Sequence, residues 1–213
     1  MNYYPAFLDL RGTSCLLVGG GSVAARKAEA LVEAGADLTV VSPSLAPSLE
    51  GHVRSNRIRH LRKRFDESDL AGISLAIAAT DDPAVNASVA AACRSRGILV
   101  NVATPPETST FLMPSVVARG SLLIAVSTCG SSPALSRRIR EDLERSYGPE
   151  YGVFLEKMAV LRQRLLQEVR DEEARRETFR AIVDSDVLDL LREGADDRAD
   201  RRIAEIVKSV AGR

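Results

Sequence analysis

The stretch Ser14-Cys15-Leu16-Leu17-Val18, followed at once by Gly19-Gly20-Gly21-Ser22-Val23-Ala24, decides the fold of this chain. Its apolar run predicts a buried strand. From Ser22 to Ala34 the positions Val23, Ala28, Leu31 and Val32, with the aliphatic stem of Lys27, recur at helical spacing. Gly35 is a natural stop because it tolerates positive φ. The glycines in between fit Gly-x-Gly-x-x-Ala. In that pattern Gly19 permits a tight turn, Gly21 lets the backbone approach a pyrophosphate, and Ala24 lets the helix pack closely on the sheet. The helix N-terminus offers free N–H groups and the positive end of its dipole to the phosphates. Glycines also serve plain turns that bind nothing. The order strand, glycine turn, helix is what gives the motif weight, and it predicts a turn that holds a nicotinamide dinucleotide.

Outward from this turn the alternation continues. Leu38-Thr39-Val40-Val41 predicts a second strand ended by Pro43, Ser44 to Leu49 a short helix, and Arg57 to Leu61 a weaker strand. The unbroken run Ser74 to Ala79 predicts a strand buried on both faces. Pro83 to Arg96 predicts a helix with proline in its first turn and Gly97 just past its end, and Ile98 to Val102 another strand. Such alternation implies a parallel sheet with right-handed crossovers, an α/β domain of Rossmann type. The pattern changes near Thr104-Pro105-Pro106. Leu122 to Val126 predicts one more strand and Pro133 to Tyr147 a charged helix. After Gly148-Pro149 the residues are helical in pattern and highly charged, ending in an amphipathic helix over Ala199 to Val210. A boundary is expected near Met113-Pro114.

Composition narrows the function classes. Apolar residues make up 45% of the 213, enough for packed cores. Lys plus Arg equals Asp plus Glu at 29 each, so charge balance points neither to nucleic acid nor to a membrane surface. Cys15, Cys93 and Cys129 are odd in number, far apart and without a CxxC pair, which argues against a disulfide framework and a metal site. Sparse thiols fit a reducing cytoplasm. Met1 to Leu10 has no basic segment leading into an apolar run, and no stretch approaches membrane-spanning length, so a cytoplasmic protein is expected.

Where a Rossmann domain selecting NAD carries an acid after its second strand, this chain has Ser42-Pro43-Ser44, which leaves NAD and NADP both open. Thr80 and Asp81 fall at the carboxyl end of a parallel strand, where such sheets bind ligands. Asp81 and Asp82 also suit helix capping ahead of Pro83. The basic run Arg54, Arg57, Arg59, His60, Arg62, Lys63, Arg64 reads as a solvated edge strand, since charge protects edges from pairing. Neither His52 nor His60 lies at a strand's carboxyl end, so neither is expected to be catalytic.

Several further stretches carry a resemblance. Tyr4-Pro5-Ala6-Phe7-Leu8, the turn from Val18 through Arg26-Lys27, Leu75 to Asp82 with Val85-Asn86, Phe111-Leu112-Met113-Pro114-Ser115, Val126-Ser127 and Gly130 to Leu135 follow one consistent order. In these the chain resembles the precorrin-2 dehydrogenase/sirohydrochlorin ferrochelatase module of siroheme synthases, of the type that stands without a fused methyltransferase. The resemblance implies NAD-dependent oxidation of precorrin-2 to sirohydrochlorin, with ferrous iron as a second substrate in some members. It also implies a homodimer and three parts: a Rossmann domain over 1–113, a small dimerisation segment over 114–148 and a helical domain over 149–213. A reading from another class stays open: a nucleotide-sensing regulatory module without catalysis. Such modules usually keep the acid after the second strand.

By matching positions, Gly19, Gly21, Ser22 and Val23 contact the cofactor turn, Pro43 and Ser44 flank the adenosine ribose, and Thr80 and Asp81 border the crevice. Bifunctional relatives carry an aspartate where this chain has Thr104, with a proposed role in proton handling. Threonine does not accept a proton near neutral pH, so iron insertion is expected to suffer more than dehydrogenation. Thr104, Asp81 and Glu107 are the catalytic candidates; Glu107 can substitute for the missing aspartate from the same loop, although it also reads as a solvated loop charge. The resemblance places Asn101 and the turn Ser127-Thr128-Cys129-Gly130-Ser131-Ser132 by the tetrapyrrole, with a phosphorylatable serine at the position of Thr128 in some relatives. As plain structure, Ser131 or Ser132 would cap the helix that follows. Arg137 and Arg138 are candidates for binding the substrate's acidic arms by charge-assisted hydrogen bonds.

Overall fold

The apolar runs of the first half become strands because helices cover both faces of their sheet. A computed structural model describes residues 3–104 and 106–211, and the chain divides into two units, Met1–Met113 and Pro114–Arg213. In the first unit β1 (Ser14–Val18), β2 (Asp37–Val41), β3 (Ile58–Leu61), β4 (Leu75–Ala78) and β5 (Leu99–Val102) alternate with α1 (Ser22–Glu33), α2 (Pro47–Arg54) and α3 (Pro83–Ser95). The strands are all parallel, in the order β3-β2-β1-β4-β5. The chain therefore winds outwards from β1 to β3, then returns to add β4 and β5 on the other side. The switch falls between β1 and β4, where open α/β sheets bind their ligands.

Side chains along β1 alternate between two cores. Cys15 and Leu17 pack with Ala24, Ala28 and Leu31 of α1 and Leu49 of α2. Leu16 and Val18 pack with Val89, Ala90 and Cys93 of α3. Ala24 and Ala28 are fully buried, and their small side chains let α1 lie close to the sheet. Of the basic stretch, Arg59 and His60 lie on the edge strand β3, and the other members flank it. Two members of the stretch also hold the loop after β2. His60 Nε2 lies 2.9 Å from the Ser42 carbonyl oxygen, and Arg62 Nε donates to the Pro43 carbonyl at 3.3 Å. Helix α2 starts at Pro47, later than the expected Ser44. The intervening backbone is bound elsewhere, with the Ala46 N–H donating to the Gly20 carbonyl at 2.7 Å.

The second unit opens with an antiparallel pair, β6 (Ser115–Arg119) and β7 (Leu122–Val126). Strand β6 was not foreseen, because only Val117 in it is buried and no alternation marks it. Five helices follow: α4 (Pro133–Ser146), α5 (Glu150–Glu168), α6 (Glu172–Val183), α7 (Val187–Arg192) and α8 (Asp196–Ala211). Phe154, Met158, Leu161 and Leu165 of α5 meet Ile182, Leu190, Leu191, Ile203 and Ile206 in a core of their own. Gly152 lets α5 lie against the β6–β7 turn; a Cβ there would meet the Arg119 carbonyl carbon at 3.3 Å. Among the described residues no helix is long and apolar enough to cross a membrane.

The thiols divide by burial. Cys15 and Cys93 are fully enclosed, and burial pushes both up to about 11. Cys129 is exposed. In the folded chain at about pH 8, a maleimide is expected to label Cys129 alone, with the other two reacting only in urea, as read by mass spectrometry. Unfolded thiols ionise from their ordinary value of 9.0 while the buried pair stays protonated to about 11, so the unfolded state binds fewer protons in that window. Stability therefore falls as pH rises through it, by up to about 2 kcal/mol per thiol. Urea midpoints of the wild type and of Cys15→Ala across this range measure the effect.

Candidate functional site

The carboxyl ends of β1, β2, β3 and β4 surround a crevice of about 640 Å³, lined by Gly19–Gly21, the loop from Ser42 to Ala46, Lys63 to Phe65 and Ala79 to Asp82. The three glycines do different work in it. Gly19 has φ +123°, and its N–H donates to the Val41 carbonyl at 3.0 Å. A Cβ on it would overlap the Ala79 carbonyl of the neighbouring strand end, so glycine is required here for both conformation and space. A Cβ on Gly20 would overlap the Ser44 carbonyl and sit 2.6 Å from Ser42 Oγ. Gly20 thus admits the loop after β2, a role the sequence pattern leaves to any residue. At Gly21 a Cβ would meet nothing within 4 Å. Gly21 is the N-cap of α1 and contributes no side-chain cap, so the amides of the first turn, Ser22 and Val23 among them, are left for an anion. These residues fit the pyrophosphate of a dinucleotide: two glycines shape the cradle and the third keeps it open.

Beyond β4, Thr80 and Asp81 border the same crevice. Thr80 is held by Asn86, a residue whose role was not legible in the sequence. Asn86 is 1% exposed. Its Oδ1 accepts from the Thr80 N–H at 3.1 Å and from Thr80 Oγ1 at 2.8 Å. Its Nδ2 donates to the carbonyls of Thr80 at 3.0 Å and Thr104 at 3.2 Å. One buried amide thereby ties together the loops that leave β4 and β5. Asp82 is the N-cap of α3, accepting from Ala84 N at 2.8 Å, whereas Asp81 is exposed at the crevice. The side chains of Thr104 and Glu107 are exposed as well, Glu107 in a 3₁₀ turn over Pro106–Thr108. Pro105 lies outside the described residues.

The segment after that turn runs back along β5. Ser109 Oγ accepts from Val102 N at 2.9 Å and Thr110 Oγ1 from Val100 N at 2.8 Å, so hydroxyls satisfy a strand edge that no sixth strand covers among the described residues. Asn101, which the resemblance places by the tetrapyrrole, has partners within the chain. It is 6% exposed. Its Nδ2 donates to the Phe111 carbonyl at 3.0 Å, and its Oδ1 accepts from Lys27 Nζ at 2.7 Å. Lys27 Nζ also reaches Met113 Sδ at 3.4 Å. Burial, and then the neighbouring Arg26, hold the Lys27 ammonium below its usual pKa. Asn101 therefore anchors Lys27 and the returning segment.

In the second unit the hydroxyl-rich turn is bonded to itself. Thr128 Oγ1 accepts from Ser132 N at 3.1 Å, Ser127 Oγ accepts from Cys129 N at 3.1 Å, and Ser132, not Ser131, caps α4 by accepting from Leu135 N at 3.3 Å. Arg137 and Arg138, the candidates for the substrate's acidic arms, are paired one turn on with Glu141 at 3.0 Å and Asp142 at 3.3 Å. Both pairs are solvent-exposed, and such pairs are worth only about 0.3–0.5 kcal/mol, so an incoming carboxylate can replace them.

The glycines make a sharp test. Gly21→Ala is expected to fold with near wild-type stability, since φ there is −80° and the space is open. Its dinucleotide affinity should drop at least about tenfold, because the methyl stands where the phosphates approach. Gly20→Ala should lose both, its thermal midpoint falling by several degrees. Thermal unfolding and calorimetric titration of both variants with NAD separate the two roles; equal stability losses in both would contradict the assignment.

Residues 6–115 match the family described as "NAD(P)-binding", and residues 119–146 the family described as "Sirohaem biosynthesis protein central". The siroheme synthase of Chromobacterium violaceum is 41% identical over 211 residues, covering 99% of this chain and 44% of that protein. The siroheme synthase of Methylococcus capsulatus is 38% identical, with the same 99% and 44% coverage. The chain thus spans less than half the length of these curated relatives. Among solved structures, "SirC, precorrin-2 dehydrogenase" superimposes with a TM-score of 0.78 at 30% identity, covering 95% of this chain and 100% of that one. The chain belongs to the NAD(P)-binding siroheme-biosynthesis family that includes precorrin-2 dehydrogenase.

Proposed function

We propose that this chain oxidises precorrin-2 to sirohydrochlorin with NAD as hydride acceptor. The observation that carries the proposal is the glycine cradle at the β1/β4 switch point, open only at Gly21, in a chain that covers the whole of a precorrin-2 dehydrogenase. The reaction removes one hydride and one proton from the tetrapyrrole. NAD, when bound, supplies the ring carbon that takes the hydride. The chain's own residues bind and orient. The Gly19 and Gly21 backbone and the amides of Ser22 and Val23 hold the pyrophosphate, and Pro43 and Ser44 flank the adenosine ribose. Thr80 and Asp81 border the half of the crevice beyond β4. Asp81 and Glu107 are both exposed and able to pass the released proton to water. In the second unit, Ser127, Thr128 and Ser131 with Arg137 and Arg138 form the proposed contact for the acidic arms, while in the first unit Asn101 holds Lys27.

Incubating the purified chain with precorrin-2 and NAD is expected to yield NADH and sirohydrochlorin in equal amounts; no turnover with authentic substrate would overturn the proposal. Iron insertion into sirohydrochlorin is expected to be slow, because Thr104 offers no carboxylate. Thr104→Asp is then expected to raise the rate of siroheme formation at least about tenfold over the parent chain, in the range of a positioned acid–base group. Rapid enzyme-dependent insertion by the parent would show that Thr104 is no obstacle. The sparse thiols and the absence of a long apolar helix among the described residues support a cytoplasmic setting.

The proposed assembly is a homodimer. One face of the β6–β7 pair presents Val116, Ala118, Leu123 and Ala125, with Val116 43% and Leu123 48% exposed. A two-stranded sheet with an uncovered apolar face is marginal by itself. Sedimentation is expected to show a dimer that Leu123→Glu converts to monomer; a monomeric wild type at micromolar concentration would contradict this.

A further inference from the structure

We infer that the adenosine end of the crevice accepts a 2′-phosphate, so that the chain binds NADP as well as NAD, with Arg64 as the residue that holds the extra phosphate. The inference rests on the dinucleotide reading of the crevice and adds its specificity. Strand order puts the ends of β2 and β3 on the side of the pyrophosphate cradle away from β4, which is the ribose side of a Rossmann crevice. NAD-selective domains place a carboxylate there, which accepts hydrogen bonds from the ribose hydroxyls and repels a 2′-phosphate. Here the lining from β2 is Ser42, Pro43 and Ser44, with no acid. Ser42 is buried, and its hydroxyl is spent on the Ser44 carbonyl at 2.6 Å. Opposite this loop, the lining from β3 is Lys63 and Arg64.

These cations differ in what they have to offer. Lys63 Nζ is neutralised by Asp69 at 2.7 Å, and that carboxylate is itself nearly enclosed and fixed by the Asp66 N–H at 2.9 Å. Arg62 is committed to the Pro43 carbonyl. Among the described residues the Arg64 guanidinium has neither a carboxylate nor a carbonyl partner, and it is exposed at the rim of the crevice. A free guanidinium fork beside an acid-free ribose loop is the donor set that recognises a phosphomonoester bidentately. The uncompensated charge of Arg62 on the same loop adds to the local positive field.

Calorimetric titration of the intact chain with NAD and with NADP tests this directly, with binding as the readout. NADP is expected to bind at least as tightly as NAD. Arg64→Ala is expected to lower the NADP affinity relative to NAD by roughly ten- to a hundred-fold, the range of a lost charge-assisted hydrogen bond. Ser44→Asp, which restores an acid to the loop, is expected to turn the preference towards NAD. A wild type that binds NAD but binds NADP more than about tenfold more weakly overturns the inference, as does an Arg64→Ala variant with an unchanged affinity ratio. If neither dinucleotide binds, the reading of the crevice fails and the inference falls with it.

Discussion

The backbone of Gly19 and Gly20 passes the ends of two neighbouring strands with no room for a single added carbon: the Ala79 carbonyl blocks one position and the Ser44 carbonyl the other. Three backbone hydrogen bonds hold this packing. Gly19 N–H donates to Val41, Ala79 N–H to Val18 and Ala46 N–H to Gly20. Each contributes about 1 kcal/mol net, against a similar conformational cost for ordering each glycine. The margin is small, so the arrangement holds because β1 is locked between β2 and β4 by side chains buried on both faces. The crevice follows from this constraint. With the chain pressed against its neighbours at Gly19 and Gly20, the open side of the turn is left at Gly21, where the first amides of α1 emerge.

Asp81 and Glu107, proposed to pass the proton, are exposed, as is Thr104. What positions them is one step removed. The Asn86 amide satisfies four groups on two loops in a site that water does not reach. A buried donor or acceptor left unpaired costs about 1–3 kcal/mol, so an aliphatic residue there would release the Thr80 and Thr104 carbonyls together. Lys27 and Asn101 play the matching part for the segment that returns past Phe111 to Met113. The division is a physical one. Groups that exchange protons need water and substrate, while groups that fix geometry need enclosure.

That division also explains how far the sequence could be read. Strands β1, β4 and β7 and helices α1, α3 and α4 were legible within a residue or two, because the strands are apolar runs and proline or glycine marks the helix ends. The jobs of Gly19, Gly21 and Ala24 were legible from the motif. Gly20 was not, since its neighbour Ser44 comes from a loop 24 residues further on and the motif treats that position as free. Asn86 and Asn101 carry no local signal either. A buried asparagine in a helix or strand looks like any polar residue until the carbonyls it serves, at Thr80, Thr104 and Phe111, are brought beside it. Strand β6 escaped because one buried valine is too short a pattern to set a period.

Charge shows the same contrast between totals and placement. The formal charge is zero, and part of that cancellation is local. On α4 alone Arg137, Arg138, Arg140 and Arg145 all find carboxylates three or four residues away, contacts that give a helix solubility and a few tenths of a kcal/mol each. Lys27 and Arg64 are different. Neither has a carboxylate partner among the described residues, although Lys27 lies beneath the returning segment and Arg64 at the rim of the crevice. Lys27 is held away from water at a cost to its charged form, offset by its bond to Asn101. Arg64 is hydrated and bears no such cost, and it keeps all its donors. A neutral total is therefore compatible with a site built to meet anions. Which cations line the crevice is decided by the fold and not by the total.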